Sequence, residues 1–243
     1  MTAPPQAVVT GATSGIGRAI ALALRDAGHE VTAIGRDPAA LEVLSAEAGI
    51  RPLALDLLDR AAMLRATEGL APDVLVNNAG TVPPLLPFCD QGEDDIDRTL
   101  EVNVGAVLAL TRRLVPGMRA RGRGHVFFTG SVAGHAPFAN MAVYCATKAA
   151  VGGFAQALRL ELAPSGVRVT EIVAGRVETA LYRDVLTEDD RRAMYAGGTQ
   201  VQPADVAAMV LAVLALPPNV DVARFDILPL NPTSASGQPA RRG

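Results

Sequence analysis

The 243-residue sequence is poor in aromatic side chains, at 4%, and holds only two cysteines, Cys89 and Cys145. Two cysteines make no disulfide framework, which excludes the small cross-linked secreted class and points to a reducing compartment. The opening segment, Met1–Gln6, has no basic n-region. No signal peptide is therefore expected, and a cytoplasmic location is. No apolar run reaches the ~18 residues that a membrane-crossing helix needs. The longest, Val206–Leu216, is alanine-rich and reads as a buried helix. A basic excess is missing too: 22 Lys and Arg stand against 25 Asp and Glu, for a net charge of -3. No nucleic-acid partner, membrane or metal is expected from such a chain.

What is abundant is aliphatic. Hydrophobic residues make up 49% of the sequence, enough for one large core. The length suits one α/β domain, expected over residues 1–233, with a flexible Ser-, Gly-, Pro- and Arg-rich tail at 234–243. Strand-like runs at Ala7–Thr10, Val31–Gly35, Pro52–Leu55, Val74–Asn77, His125–Thr129, Val167–Val173 and Phe225–Pro229 alternate with helical stretches. Among the latter are Ile16–Asp26, Ala61–Glu68, a long one from about Asp94 to Arg119, Val143–Leu162 and Ala204–Leu216. Such alternation builds a parallel sheet covered by helices on both faces.

The first strand runs into Thr10-Gly11-Ala12-Thr13-Ser14-Gly15-Ile16-Gly17 and then a helix. Gly11 permits a tight turn, Gly15 lets a pyrophosphate approach the backbone, and Gly17 lets helix and sheet pack closely. The free N–H groups at the helix start favour phosphates. Thr13, Ser14 and Ile16 complete this candidate cradle. At the end of the second strand stand Gly35 and Arg36, where a site for NAD usually places an acid. A guanidinium there suits a ribose 2′-phosphate, so NADP(H) is expected ahead of NAD(H). Asp56, followed by Leu57, could accept from an adenine amino group or simply cap a strand end. Asn77-Asn78-Ala79-Gly80 offers small residues where backbone must pass close to a ligand, or where a strand turns.

Taken together, Thr10-Gly-x-x-x-Gly-x-Gly17, Asn77-Asn-Ala-Gly80, Ser131 and Tyr144-x-x-x-Lys148 resemble the short single-domain branch of the short-chain dehydrogenases/reductases, over about Ala7 to Pro229. The resemblance implies a doubly wound Rossmann fold with a seven-stranded sheet and the active site at the C-terminal strand edge. It implies Asn103, Ser131, Tyr144 and Lys148 as catalytic residues, with Asn103 holding a water in a proton relay and Lys148 also holding the nicotinamide ribose. Val177 and Thr179 resemble the residues that meet the carboxamide, although Ala174 stands where the family has proline. A homodimer or homotetramer through the long helices is also implied. The C-terminal part is similar to NADP-dependent 3-hydroxy-acid (serine-type) dehydrogenases.

Tyr144 and Lys148 are four apart on a helix and so share a face. Bringing a phenol from ~10 to near 7 requires roughly 4 kcal/mol, and one ammonium at ~4 Å supplies about that at an effective dielectric of ~20. The expected reaction is hydride exchange between a nicotinamide and a carbonyl or secondary alcohol, with Tyr144 as general acid/base. Ser131 would hold the substrate oxygen. A small 3-hydroxy acid and a bulkier ketone both remain open as substrates. A catalytically silent NADP(H)-binding regulator is the competing class, and a sugar-nucleotide epimerase of the longer related branch is a further one. Phe88, Phe138, Met141, Tyr182, Met194 and Tyr195 are candidates for an apolar substrate wall, and His135, Arg176 and Arg183 for polar contacts.

Overall fold

Each β-branched run becomes a strand, and each run with apolar residues at helical spacing becomes the helix that covers it. The computed structural model describes residues 3–196 and 200–230. The expected tail lies outside the described residues. In chain order the elements are β1 (Gln6–Thr10), α1 (Gly15–Asp26), β2 (Glu30–Gly35), α2 (Pro38–Ala48), β3 (Arg51–Ala54), α3 (Arg60–Ala66), β4 (Val74–Asn77), α4 (Glu93–Leu100), α5 (Ala106–Arg121), β5 (Gly124–Thr129), α6 (Ala142–Leu162), β6 (Val167–Ala174), α7 (Glu188–Met194), α8 (Pro203–Leu214) and β7 (Arg224–Ile227).

The strands form one sheet in the order β3-β2-β1-β4-β5-β6-β7, with every pairing parallel. Alternation along each strand feeds two cores. Val9, Val76, Phe127 and Ile172 pack with Ile20 and Leu24 of α1 and Val206 and Val210 of α8. Val8, Leu75, Phe128 and Val169 pack with Leu110, Leu114 and Met118 of α5 and Val151 and Ala155 of α6. This is the doubly wound arrangement. Its strand order reverses between β1 and β4, which opens a crevice beyond their C-terminal ends.

Helix ends follow from local chemistry. The Asp37 carboxylate accepts from Ala39 and Ala40 N–H, Pro38 occupies the first turn of α2, and Gly49 closes it at φ 63°. Two features depart from the sequence expectation. The long helical stretch is split by a five-residue π-helical turn, Glu101–Gly105, between α4 and α5. The short α7 has no apolar period to announce it. It is set by Thr187, whose Oγ1 accepts from Asp190 N–H, and by the acidic first turn Glu188-Asp189-Asp190.

Candidate active site

The loops after β1, β2, β4, β5 and β6 gather around a cleft of about 910 Å3 at the C-terminal edge of the sheet. Its floor is made by removing side chains. A Cβ at Gly17 would stand 2.3 Å from the Gly11 carbonyl oxygen, and one at Gly35 would stand 2.5 Å from Thr13 Cγ2. Gly11 and Gly15 hold φ of 64° and 52°. Ser14, the N-cap of α1, makes no side-chain bond to the helix, and no acid occupies the first turn. The first-turn N–H groups thus keep their capacity for an anion.

Thr10 and Asn78 weld this turn to β4. Thr10 Oγ1 accepts from Asn78 N–H at 2.9 Å and Ala79 N–H at 3.0 Å and donates to the Val76 carbonyl. The Asn78 amide donates to the Thr10 carbonyl at 3.1 Å, and Thr129 Oγ1 donates to Asn78 Oδ1. At the end of β2, Arg36 lines the cleft, exposed, and forms no ion pair with a described residue. Its neighbour Asp37 is committed to α2. Asp56 lines the cleft, and its Oδ1 accepts from Leu58 N–H at 3.0 Å. The glycine cradle, the open helix start and the unpaired guanidinium fit a phosphorylated dinucleotide.

Across the cleft, α6 presents Tyr144 and Lys148, both buried. Lys148 Nζ lies 5.6 Å from the Tyr144 ring centroid and donates to the Thr129 carbonyl at 2.8 Å. Ser131 caps the short turn after β5, accepting from Ala133 N–H at 3.1 Å, and its hydroxyl is close enough to Tyr144 to favour the phenolate. Asn103 sits in the π-helical turn, buried. Its amide accepts from Thr81 N–H at 2.8 Å and donates to the Thr81 carbonyl at 2.9 Å and to Thr147 Oγ1 at 3.1 Å. A Cβ at Gly80 would lie 3.3 Å from Asn103 Oδ1 and 3.7 Å from Lys148 Nζ, so this glycine keeps the space between them clear.

The electrostatics of the catalytic wall are dominated by burial. Burial pushes the Tyr144 phenol above its ordinary value; nearby Tyr182 adds to this, while the bond with Ser131 opposes it. Burial likewise lowers Lys148 to about 8, with Glu171 opposing. Burial, not Lys148, sets the direction of the phenol's shift. The amine spends a bond on Thr129, and the site's low polarity outweighs its charge.

All the predicted site residues except two line the cleft: Gly11, Thr13, Ser14, Gly15, Ile16, Arg36, Asp56, Leu57, Asn78, Ala79, Gly80, Ser131, Tyr144, Lys148, Val177 and Thr179 do so. The exceptions, Gly17 and Asn103, shape it from behind. Thr179 overlies Gly15, where a Cβ would meet its Cγ2 at 3.1 Å. The Gly175 N–H donates to Ile227 at 2.9 Å, and Val177 bridges to Val201, so the segment after β6 is held despite Ala174. Of the substrate-wall candidates, Phe138, Met141, Tyr182 and Met194 line the cleft with Arg176 and Arg183. Phe88 is 58% exposed and lies elsewhere, on a short polar-flanked turn. Tyr195 acts from outside, its hydroxyl bonding the Val177 and Thr179 carbonyls. His135 turns away to Glu171. Sequence reasoning missed Arg98 in the lining and the structural role of Thr10. It also passed over a plain signal: Lys148 is the only lysine among 22 basic residues.

A parallel doubly wound sheet with a glycine cradle at its switch point, faced by a Ser, Tyr and Lys on the opposite wall, defines a nucleotide-dependent oxidoreductase. The short chain dehydrogenase profile matches residues 5–190, and the chain belongs to that family. It is 47% identical to a short-chain type dehydrogenase/reductase, y4eK, of Sinorhizobium fredii, over 92% of this chain and 90% of that one. It is 36% identical to the NADP-dependent 3-hydroxy acid dehydrogenase YdfG of Salmonella typhi, over 94% and 96% of the two chains. A serine dehydrogenase solved in its closed form with NADP+ superposes with a TM-score of 0.90 at 33% identity, covering 98% of this chain and 100% of that one. Among the described residues, no helix is long and apolar enough to cross a membrane.

Proposed function

We propose that this short-chain dehydrogenase prefers NADP(H) to NAD(H) and interconverts a 3-hydroxy acid and its keto acid, with Tyr144 as general acid/base. One observation carries the reading. Arg36 lines the cleft with no ion pair among the described residues, and Ser131, Tyr144 and Lys148 line the same cleft. The bound dinucleotide supplies or takes the hydride. Ser131 holds the substrate oxygen, and Tyr144 gives it a proton or removes one. Lys148 holds positive charge beside the phenol and bonds a ribose hydroxyl of the nicotinamide. Asn103 serves the proton relay, fixing Thr81, with Gly80 between it and Lys148. Asp56, Leu57, Ala79, Val177 and Thr179 form the walls along the cofactor.

The acid substrate is supported by Arg98, Arg176 and Arg183 in the lining and by the activity of the 3-hydroxy acid dehydrogenase relative. The long helices carry exposed Leu100, Leu108 and Leu160, which supports a dimer or tetramer through α4, α5 and α6. A screen of NADPH oxidation over 3-keto acids, ketones and aldehydes tests the substrate. Tyr144→Phe should cut kcat by about 10²–10⁴-fold while NADPH affinity stays within about twofold. Turnover undiminished in that variant rejects the assigned acid.

A further inference from the structure

On β6, behind the catalytic wall, lies an acid that the reaction above does not use. Glu171 is fully buried. Its Oε1 accepts from, or shares a proton with, His135 Nε2 at 2.9 Å, and Oε2 has no partner among the described residues. Space for the carboxylate is cleared by two glycines. A Cβ at Gly130 would stand 2.5 Å from Oε1, and one at Gly152 would stand 2.9 Å from it. Both belong to the catalytic framework. Gly130 joins Thr129, whose carbonyl receives the Lys148 amine, to Ser131. Gly152 is one helical turn beyond Lys148 on α6.

We propose that Glu171 is a positioning residue of the active site: its carboxylate supplies the buried counter-charge for Lys148 and, through His135, anchors the segment that carries Ser131. The proposal rests on the role given to Lys148 above. Lys148 is a buried cation whose one hydrogen-bond partner among the described residues is a neutral carbonyl. Such a charge needs an opposite one. A leucine or glutamine at 171 would fill similar volume, so packing alone does not call for an acid. The carboxylate opposes the burial effect on Lys148. The other ionisable groups near this face are accounted for. Tyr144 and Cys145 share α6 with Lys148. Arg224, the register partner of Glu171 on β7, is bonded to Asp226, Arg168 to carbonyls of residues 213–220, and His125 to Thr170. His135 follows Ser131 by four residues, at the far end of the turn that Ser131 caps.

The single lysine makes the test direct. Isotope-labelled lysine gives one side-chain amine signal, whose pH titration reads the charge of Lys148 without substrate. In Glu171→Gln the midpoint should fall by about one pH unit relative to the parent, and the alkaline limb of kcat/KM should move with it. Glu171→Asp, which keeps the charge, should restore most of the shift. An unchanged midpoint in a folded Glu171→Gln overturns the counter-charge. A second pair of variants does not depend on that fold surviving, because the His135 side chain is 31% exposed. His135→Leu should lower kcat roughly tenfold, the weight of one charge-assisted bond, with NADPH affinity kept. His135→Gln, which retains a donor, should recover most of it. Equal kcat in both variants and the parent overturns the anchor. The Tyr144→Phe result judges the reaction itself, and the amine titration stands apart from it.

Discussion

The two walls of the cleft are built on opposite principles. The cofactor side, from β1 to β4, is defined by what it lacks: Gly11, Gly15, Gly17 and Gly35 clear the space, and Thr10 and Asn78 spend their polar groups on the backbone. The catalytic side, from β5 to β6, is defined by what it buries. Ser131, Tyr144, Lys148, His125 and Glu171 are all polar or ionisable and nearly inaccessible. On the proposed function the first wall recognises by shape and backbone, and a Cβ at Gly17 or Gly35 would collide with it. The second acts through charge held in a poorly polar medium, and an isosteric change there leaves shape intact while altering chemistry.

If that contrast is right, the largest effect on the folded protein comes from one methyl group on the first wall. Gly17→Ala drives a Cβ to 2.3 Å from the Gly11 carbonyl oxygen and 2.5 Å from the Asn78 amide nitrogen, which is itself bonded to the Thr10 carbonyl. It should destabilise the chain by about 3 kcal/mol and abolish saturable NADPH binding. Thermal melting and cofactor titration check it. A variant with parental Tm and affinity would mean that the cradle is looser than its geometry.

How much of each wall was legible in the sequence follows from the same contrast. Glycines at fixed spacing announce a cradle because nothing else meets its steric demand, and the β-branched runs declared the sheet that bears it. Arg36 and the Tyr144–Lys148 spacing were equally open to reading, since one helical turn dictates a shared face. Burial and partners were not. That Asn103 spends its amide on Thr81 and Thr147, that Lys148 is lowered by burial, and that His135 seeks Glu171 all depend on what folds over them. The π-helical turn was hidden because its residues, Glu101-Val-Asn-Val-Gly105, fit an ordinary helix. Phe88 looked like pocket because composition cannot tell an exposed aromatic from a lining one.

The next effect separates the two nicotinamide cofactors. Among the described residues, Arg36 is the one cationic side chain that β1–β4 and their loops bring to the cleft. Arg36→Ala should raise the dissociation constant for NADP roughly tenfold to a hundredfold, the 1.5–3 kcal/mol of a charge-assisted bond. NAD affinity should stay within about twofold. Equal losses for both would place Arg36 away from the 2′-phosphate.

The catalytic wall should show its buried charge in the pH response. Lys148 titrates near 8 in the fold against 10.5 when exposed. Burying its ammonium therefore costs stability below about pH 8, and that cost is released as pH rises towards 10.5. On the proposed mechanism activity moves the other way, because the charged amine is its working form. The kcat/KM for reduction should bend downward near pH 8 and fall about tenfold per unit beyond it, while Tm does not fall over the same interval. Parallel decline of Tm and rate would assign the limb to unfolding instead.

The smallest effect tests whether Asp37 belongs to the cofactor wall or only borders it. Its carboxylate accepts two N–H groups of α2, at 3.0 and 3.1 Å. That bond set explains an acid beside Arg36 without giving it to the ribose. Asp37→Ala should cost about 1 kcal/mol of stability as a lost N-cap and leave the ratio of NADP to NAD affinity unchanged. Loss of NAD affinity at constant Tm would instead make Asp37 a ribose ligand. The cofactor wall would then read its ligand through two opposed charges rather than one.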